Sequence, residues 1–244
     1  MPLRLSHNVI VDRLVADVSR LAFRPPVTHV YNPLIYARDG YDQYTTRFGD
    51  SPKHVLFVGM NPGPWGMTQT GVPFGEIEAV TRWMDIHPRV AVPPRTHPKR
   101  PVEGTRCRKR EISGKRLWGW ARQRFETPDM FFSRCFVANY CPLMFVESSG
   151  KNRTPDKLPA AERRPLLAAC DRALRDVVEL LMPEFVIGIG SFSFKRIDRV
   201  LTGRPVTIGR ITHPSPANPK ANKGWGPLVE AELKALGVFL MHGS

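Results

Sequence analysis

At 244 residues the chain is long enough for one domain with a sizeable core, and an apolar content of 42% argues against bulk disorder. No apolar run reaches bilayer-spanning length, so no membrane partner is expected. Lys and Arg exceed Asp and Glu by 36 − 22 = +14, which suits a polyanionic partner.

The first expected element is an amphipathic helix in "NVIVDRLVADVSRLAF", residues 8–23. Val9, Ile10, Leu14, Val18 and Leu21 recur there at helical spacing, and the interspersed charges argue against a signal peptide. A strand is expected in "HVLFVG", residues 54–59. It runs into "VGMNPGPWGMTQTGVPFGE", dense in Gly and Pro, and then into a helix in "EIEAVTRWMDI", residues 76–86.

A basic, Pro-rich insertion follows at about residues 87–116. Residues 89–116 hold ten Lys or Arg and two Glu, more than half of the net charge. Such a stretch is either a solvated, partly disordered loop or a polyanion contact, and charge alone weighs the two equally. A nuclear-import signal in "RCRKR" is a third reading.

Beyond it, helices are expected in "GKRLWGWARQRF" and in "PAAERRPLLAACDRALRDVVELLM", where Pro165 marks a break or a start. Helices are also expected in "SFSFKRIDRVL" and "WGPLVEAELKALG", the last closed by a Gly cap. Further strands are expected at residues 131–138, 185–190 and 206–211. Near-continuous apolar strands alternating with helices predict a three-layer α/β/α fold with a central, mostly parallel four-stranded sheet. Residues 1–244 read as a single domain carrying the insertion.

The four cysteines are Cys107, Cys135, Cys141 and Cys170. None has C-x-x-C spacing, and no export signal precedes them. Reduced thiols are expected, with no zinc, redox or iron–sulfur site.

Ligands of such sheets bind beyond the C-terminal ends of the strands. There the chain carries Asn61, Asn139 and His213 after the first, second and fourth strands, and Ser191 after the third. Singly, an Asn after a strand is most often a turn residue, and a His before Pro a loop residue. Together they favour one shared crevice. The turn "GMNPGP" lacks both G-x-G-x-x-G and the Walker Lys.

"GMNPGPWGMTQTGVPFGE" and "HPSPANPKANKGW" resemble the two signature segments of the single-strand-selective monofunctional uracil-DNA glycosylases, within the uracil-DNA glycosylase superfamily. "CFVANYCPLMF" with "SSGKNRTPDKLPA" resembles the segment between them. The likeness runs from about residue 41 to the C-terminus.

The resemblance implies an enzyme that flips uracil out of the stack and hydrolyses its N-glycosidic bond, leaving an abasic site in base excision repair. It implies no cofactor. By the same resemblance, Asn61 positions the attacking water, His213 stabilises the uracil anion at O2, and Asn139 reads N3–H and O4. Phe74 stacks on the base. Gly63 leaves room at C5 for substituents such as 5-hydroxymethyl. Met60 joins the base-facing set, although plain packing is the simpler reading for it.

DNA contacts are expected from Ser215, Pro216, Ala217, Asn218, Lys220 and Lys223, and from Arg106, Arg108, Lys109, Arg110 and Lys115 in the basic stretch. The family often has Arg at the position of Ala217, where a large side chain fills the hole left by the flipped base. The partner expected is uracil-containing DNA, single- or double-stranded, bound by a monomer. The place is inside the cell with the DNA: the cytoplasm of a bacterium or the nucleus of a eukaryote. Rival readings are a superfamily enzyme acting mainly on xanthine or hypoxanthine, a non-catalytic DNA-binding relative, and an enzyme of free nucleotides.

Overall fold

The structure is a computed structural model that describes residues 5–240. Strands β1 (Val27–Tyr31), β2 (Val55–Gly59), β3 (Cys135–Asn139), β4 (Met144–Glu147), β5 (Asn152–Arg153), β6 (Phe185–Ile189) and β7 (Thr207–Ile211) form two sheets. The central sheet has the order β3-β2-β6-β7, and all of its pairings are parallel. β2 and β6 are buried along their whole length, as strands covered on both faces must be.

Alternation along β2 shows the two helical layers directly. Phe57 points to the Ile112–Phe125 helix, meeting Trp120 edge-on at 6.1 Å between centroids. Its neighbour Val58 points the other way, towards Ile10 and Leu14 of the His7–Ser19 helix and Leu174 of the Ala160–Leu181 helix. The expected three-layer α/β/α fold is therefore present. Burying one such large apolar side chain stabilises the fold by roughly 1.5–3 kcal/mol, so this double-sided core dominates the energetics.

Several local expectations need correction. The second strand begins at Cys135 rather than at residue 131. Phe131 and Phe132 instead close a short helix, Pro128–Phe132, started by the Thr127 hydroxyl accepting from the Met130 N–H. Residues 76–86 do not form a regular helix: Ala79–Trp83 is a π-helical turn, and Asp85 at φ 53° ends it. Pro165 neither breaks nor starts its helix, which runs unbroken from Ala160 to Leu181. At the sixth position its missing N–H costs one early bond in a long helix.

A second, antiparallel sheet, β1-β4-β5, lies outside the sequence-based expectations. Its strands are short, and β5 has only two residues.

The basic stretch is not a solvated loop throughout. Val102 and Cys107 are buried, and the Tyr31 hydroxyl accepts from the His97 N–H at 2.6 Å while donating to the Arg100 carbonyl at 2.7 Å. Its last residues, from Ile112, already belong to a helix. All four cysteines are free and buried.

Candidate active site

β2 is an inner strand; the chain passes from it to β3 on one side and later crosses over to β6 on its other side. The reversal of strand order leaves a crevice at the C-terminal edge. A cleft of about 340 Å³ opens there, within the usual size range of small-molecule sites. Its wall includes Met60, Asn61, Gly63, Phe74, Asn139 and His213, together with Ser215. The residues expected at three separate strand ends thus converge.

Asn61 is oriented by the fold. Its Nδ2 donates to the Leu143 carbonyl at 3.1 Å, which turns Oδ1 away as a free acceptor. Asn139 pairs in register with Gly59, at the ends of β3 and β2. Its Nδ2 contacts the Met67 sulfur at 3.2 Å, a weak acceptor, and its Oδ1 is buried with no partner. A side chain on Gly59 would meet Asn139 Oδ1 and the Phe74 ring, each at 2.5 Å. Only Gly lets these two groups stand side by side.

Phe74 is held at φ 54°, a strained conformation for an aromatic residue. Its carbonyl accepts from Trp118 Nε1 at 3.0 Å and from the Glu76 N–H at 2.7 Å. A Cβ on Gly114 would stand 2.0 Å from that carbonyl, so the helix can approach only there. The Phe74 and His213 rings lie 6.0 Å apart at 42°.

The structure fixes the form of His213. Burial lowers its pKa from 6.5 to about 4, so the ring is neutral near pH 7. The Ser215 N–H donates to Nδ1 at 3.0 Å, which leaves the ring proton on Nε2 as a donor.

At Gly63 a Cβ would lie 2.2 Å from Glu111 Oε2, so the missing side chain lets that carboxylate approach the cleft wall. Glu111 lines the cleft, as do Asn152 and Thr154. Sequence reasoning assigns a role to none of the three; in the sequence Glu111 is only one more charge within the basic stretch. Gln69 of the opening motif is fully buried and is a tether. Its amide bonds the carbonyls of Pro64 and Pro101 and the N–H groups of Glu103 and Gly104.

The loop after β7 is braced by more than its prolines. Ser215 Oγ accepts from the Ala217 N–H, and Asn222 Nδ2 donates to the Pro216 carbonyl. Asn218 caps a short helix, Pro219–Asn222. Arg116, at the end of the basic stretch, donates to the Pro214 carbonyl at 3.0 Å and to Asn222 Oδ1 at 2.9 Å.

Pro216, Ala217, Lys220 and Lys223 are exposed, and Ser215, on the cleft wall, and Asn218 are half-buried. Arg106, Arg108, Lys109, Arg110 and Lys115 are also exposed. Lys109 lies 4.3 Å over the Trp65 ring, which ties the basic stretch to the motif, and Arg110 pairs with Glu78 at 3.3 Å.

Residues 46–233 match the model of the Uracil DNA glycosylase superfamily. Over 229 residues, 93% of this chain, the sequence is 47% identical to the single-strand selective monofunctional uracil-DNA glycosylase of Rattus norvegicus, covering 82% of that protein. It is 46% identical to the Mus musculus protein of the same description, again over 82% of it, and 45% identical to that of Bos taurus, over 84%. Among solved structures, it resembles wild-type Pedobacter heparinus SMUG2 with a TM-score of 0.66, covering 93% of this chain and 97% of that one. Identity there is 16%, so that likeness speaks for the fold alone.

Proposed function

This chain belongs to the single-strand-selective monofunctional branch of the uracil-DNA glycosylase superfamily, and from that premise we propose how its residues release uracil from DNA. It is a hydrolase of DNA repair, and its partner is DNA. The observation that carries the reading is the meeting of Asn61, Asn139, Phe74 and His213 on one cleft.

The base must leave the stack to be reached. It lies against Phe74. Asn139 Oδ1, unpartnered in the protein, accepts from uracil N3–H, and Nδ2 turns from a weak sulfur contact to O4. Cytosine presents the opposite pattern and would leave these buried groups unpaired, a mismatch that can discriminate by about 10⁴.

The C1′–N1 bond then breaks, and its electron pair leaves with the base as a uracil anion. His213 Nε2–H is aimed at O2, where the charge grows, so it binds the transition state better than the ground state. Water held by Asn61 Oδ1 adds its oxygen to C1′, and the water's proton leaves to solvent or to the departing anion. An amide cannot remove a proton near neutral pH. The sequence of events is therefore bond breaking first, with water oriented rather than activated.

One chain supplies every group named, so a monomer suffices, working in whichever compartment holds the DNA. Ala217 offers only a methyl group to the vacated stack, and this favours single-stranded or mismatched substrate. The test is single-turnover base release from single- and double-stranded oligonucleotides that each carry one uracil, xanthine or hypoxanthine. Uracil should be released fastest, and preference for another base would overturn the assignment of Asn139.

A further inference from the structure

His213 can serve O2 only if the backbone that carries it is held in place, and β7 gives that backbone little help. β7 is an edge strand of the central sheet, and among the described residues no strand pairs with its outer side. The strand ends at Ile211, two residues before the ring.

Side chains distant in sequence take over at that point. Thr212, directly before His213, donates its N–H to Glu232 Oε2 at 2.7 Å and its hydroxyl to Glu232 Oε1 at 2.6 Å. Its carbonyl accepts from Trp225 Nε1 at 2.7 Å. Pro214, directly after His213, has its carbonyl held by Arg116 Nη1 at 3.0 Å. Both chain neighbours of His213 are therefore fixed, one from the Trp225–Ala235 helix and the other from the Ile112–Phe125 helix.

Helix stability does not account for Glu232. It stands in the last turn of its helix, where the dipole disfavours a carboxylate and favours a cation. Both of its oxygens accept from Thr212, and hydrogen bonds to a charged acceptor at this length are the strong ones. Two bonds from one carboxylate fix direction as well as distance. Glu232 does not line the cleft, so anything it does for the reaction passes through Thr212.

We infer that Glu232 is a positioning residue: by clamping Thr212 it keeps the His213 Nε2–H directed at O2 of the departing base. The inference rests on the glycosylase reading. A donor for a developing anion is effective when it is in place beforehand, and a displacement of about 1 Å can cost about 100-fold in rate.

The test is a double-mutant cycle. Single-turnover release at saturating single-stranded oligonucleotide is measured for wild type, Glu232→Ala, His213→Ala and the double variant, with uracil or 5-fluorouracil as the base. Fluorine withdraws electron density and stabilises the leaving anion, so release of 5-fluorouracil leans less on His213. Each loss is referred to wild type on the same base. Glu232→Ala should slow uracil release by about 10- to 100-fold with little change in affinity. It should slow 5-fluorouracil release less, as His213→Ala does, and in the His213→Ala background it should cause no further loss. A purely structural role would slow both bases by one factor and add to the loss from His213→Ala. Either of those results, or Glu232→Ala at near wild-type rate, overturns the inference and spares the glycosylase reading. If Glu232→Ala fails to fold, Thr212→Val, which removes only the hydroxyl bond, takes its place in the cycle with an expected loss of about fivefold. Full uracil release by His213→Ala, or none by wild type, overturns the reading and the inference together.

Discussion

His213 gives the sharpest quantitative expectation, with pH as the perturbation. Its pKa is lowered to about 4 by burial, and Nδ1 is occupied by the Ser215 N–H. At pH 7, a pKa of about 4 leaves about one ring in a thousand protonated, from 10 raised to 4 − 7. If the neutral Nε2–H donor does the work, the single-turnover rate of uracil release is flat from about pH 8 to pH 5.5. It falls by half near pH 4, where a proton on Nδ1 would confront the Ser215 N–H.

A mechanism that needed the imidazolium would behave oppositely. Its rate would rise about tenfold for each unit of acidification over the same range. The assay is release from an end-labelled single-stranded oligonucleotide with one uracil, at constant ionic strength. Circular dichroism must accompany it, because stability changes in the same window. His213 and His7 are both held at about 4, whereas an unfolded His has a pKa of about 6.5. The unfolded chain therefore binds more protons as pH falls from about 6.5 towards 4, and the fold loses stability there. Each ring contributes on the order of 3 kcal/mol at the acid end, at about 1.36 kcal/mol per pKa unit. A tenfold-per-unit rise in rate, in protein shown to be folded, would refute the neutral donor.

Asn139→Asp removes the donor to O4 and should cut uracil release by at least about 100-fold, with cytosine release rising relative to it. Parallel oligonucleotides with uracil and cytosine measure this, and unchanged selectivity would remove Asn139 from base reading. Neutralising Arg106, Arg108, Lys109 and Arg110 should flatten the salt dependence of single-strand binding, by about 0.7 in log–log slope for each phosphate that is no longer neutralised. An unchanged slope would mean that these exposed side chains are only solvated. Ala217→Arg should speed release from a U·A duplex and leave single-strand activity nearly unaltered, because flipping from a pair costs a few kcal/mol that a wedge can offset. Equal wild-type rates on U·A and U·G, with no gain from Arg, would exclude Ala217 from strand opening.

The parallel sheet is legible in the sequence because its inner strands, β2 and β6, are apolar throughout, as short elements buried on both faces must be. The site is legible for a related reason: Asn139 ends β3, and Asn61 and His213 lie two residues past the ends of β2 and β7, so topology brings them together. What stays hidden depends on contacts distant in sequence. Phe131 and Phe132 look like strand residues, yet the Thr127 cap winds them into a helix. Tyr31, Gln69 and Cys107 hold the basic stretch down, and no local pattern announces this. Glu111 resembles any acid in a charged loop until the fold sets it against Gly63.

The central claim is that Asn61 and His213 act on the transition state from one cleft. It is tested most directly by comparing wild type, Asn61→Ala and His213→Ala in single-turnover release of uracil, with affinity for the same oligonucleotide measured alongside. Each variant should release uracil about 10²–10³-fold more slowly while its affinity changes little. Release at near wild-type rate by either variant, or a loss confined to binding, would contradict the account.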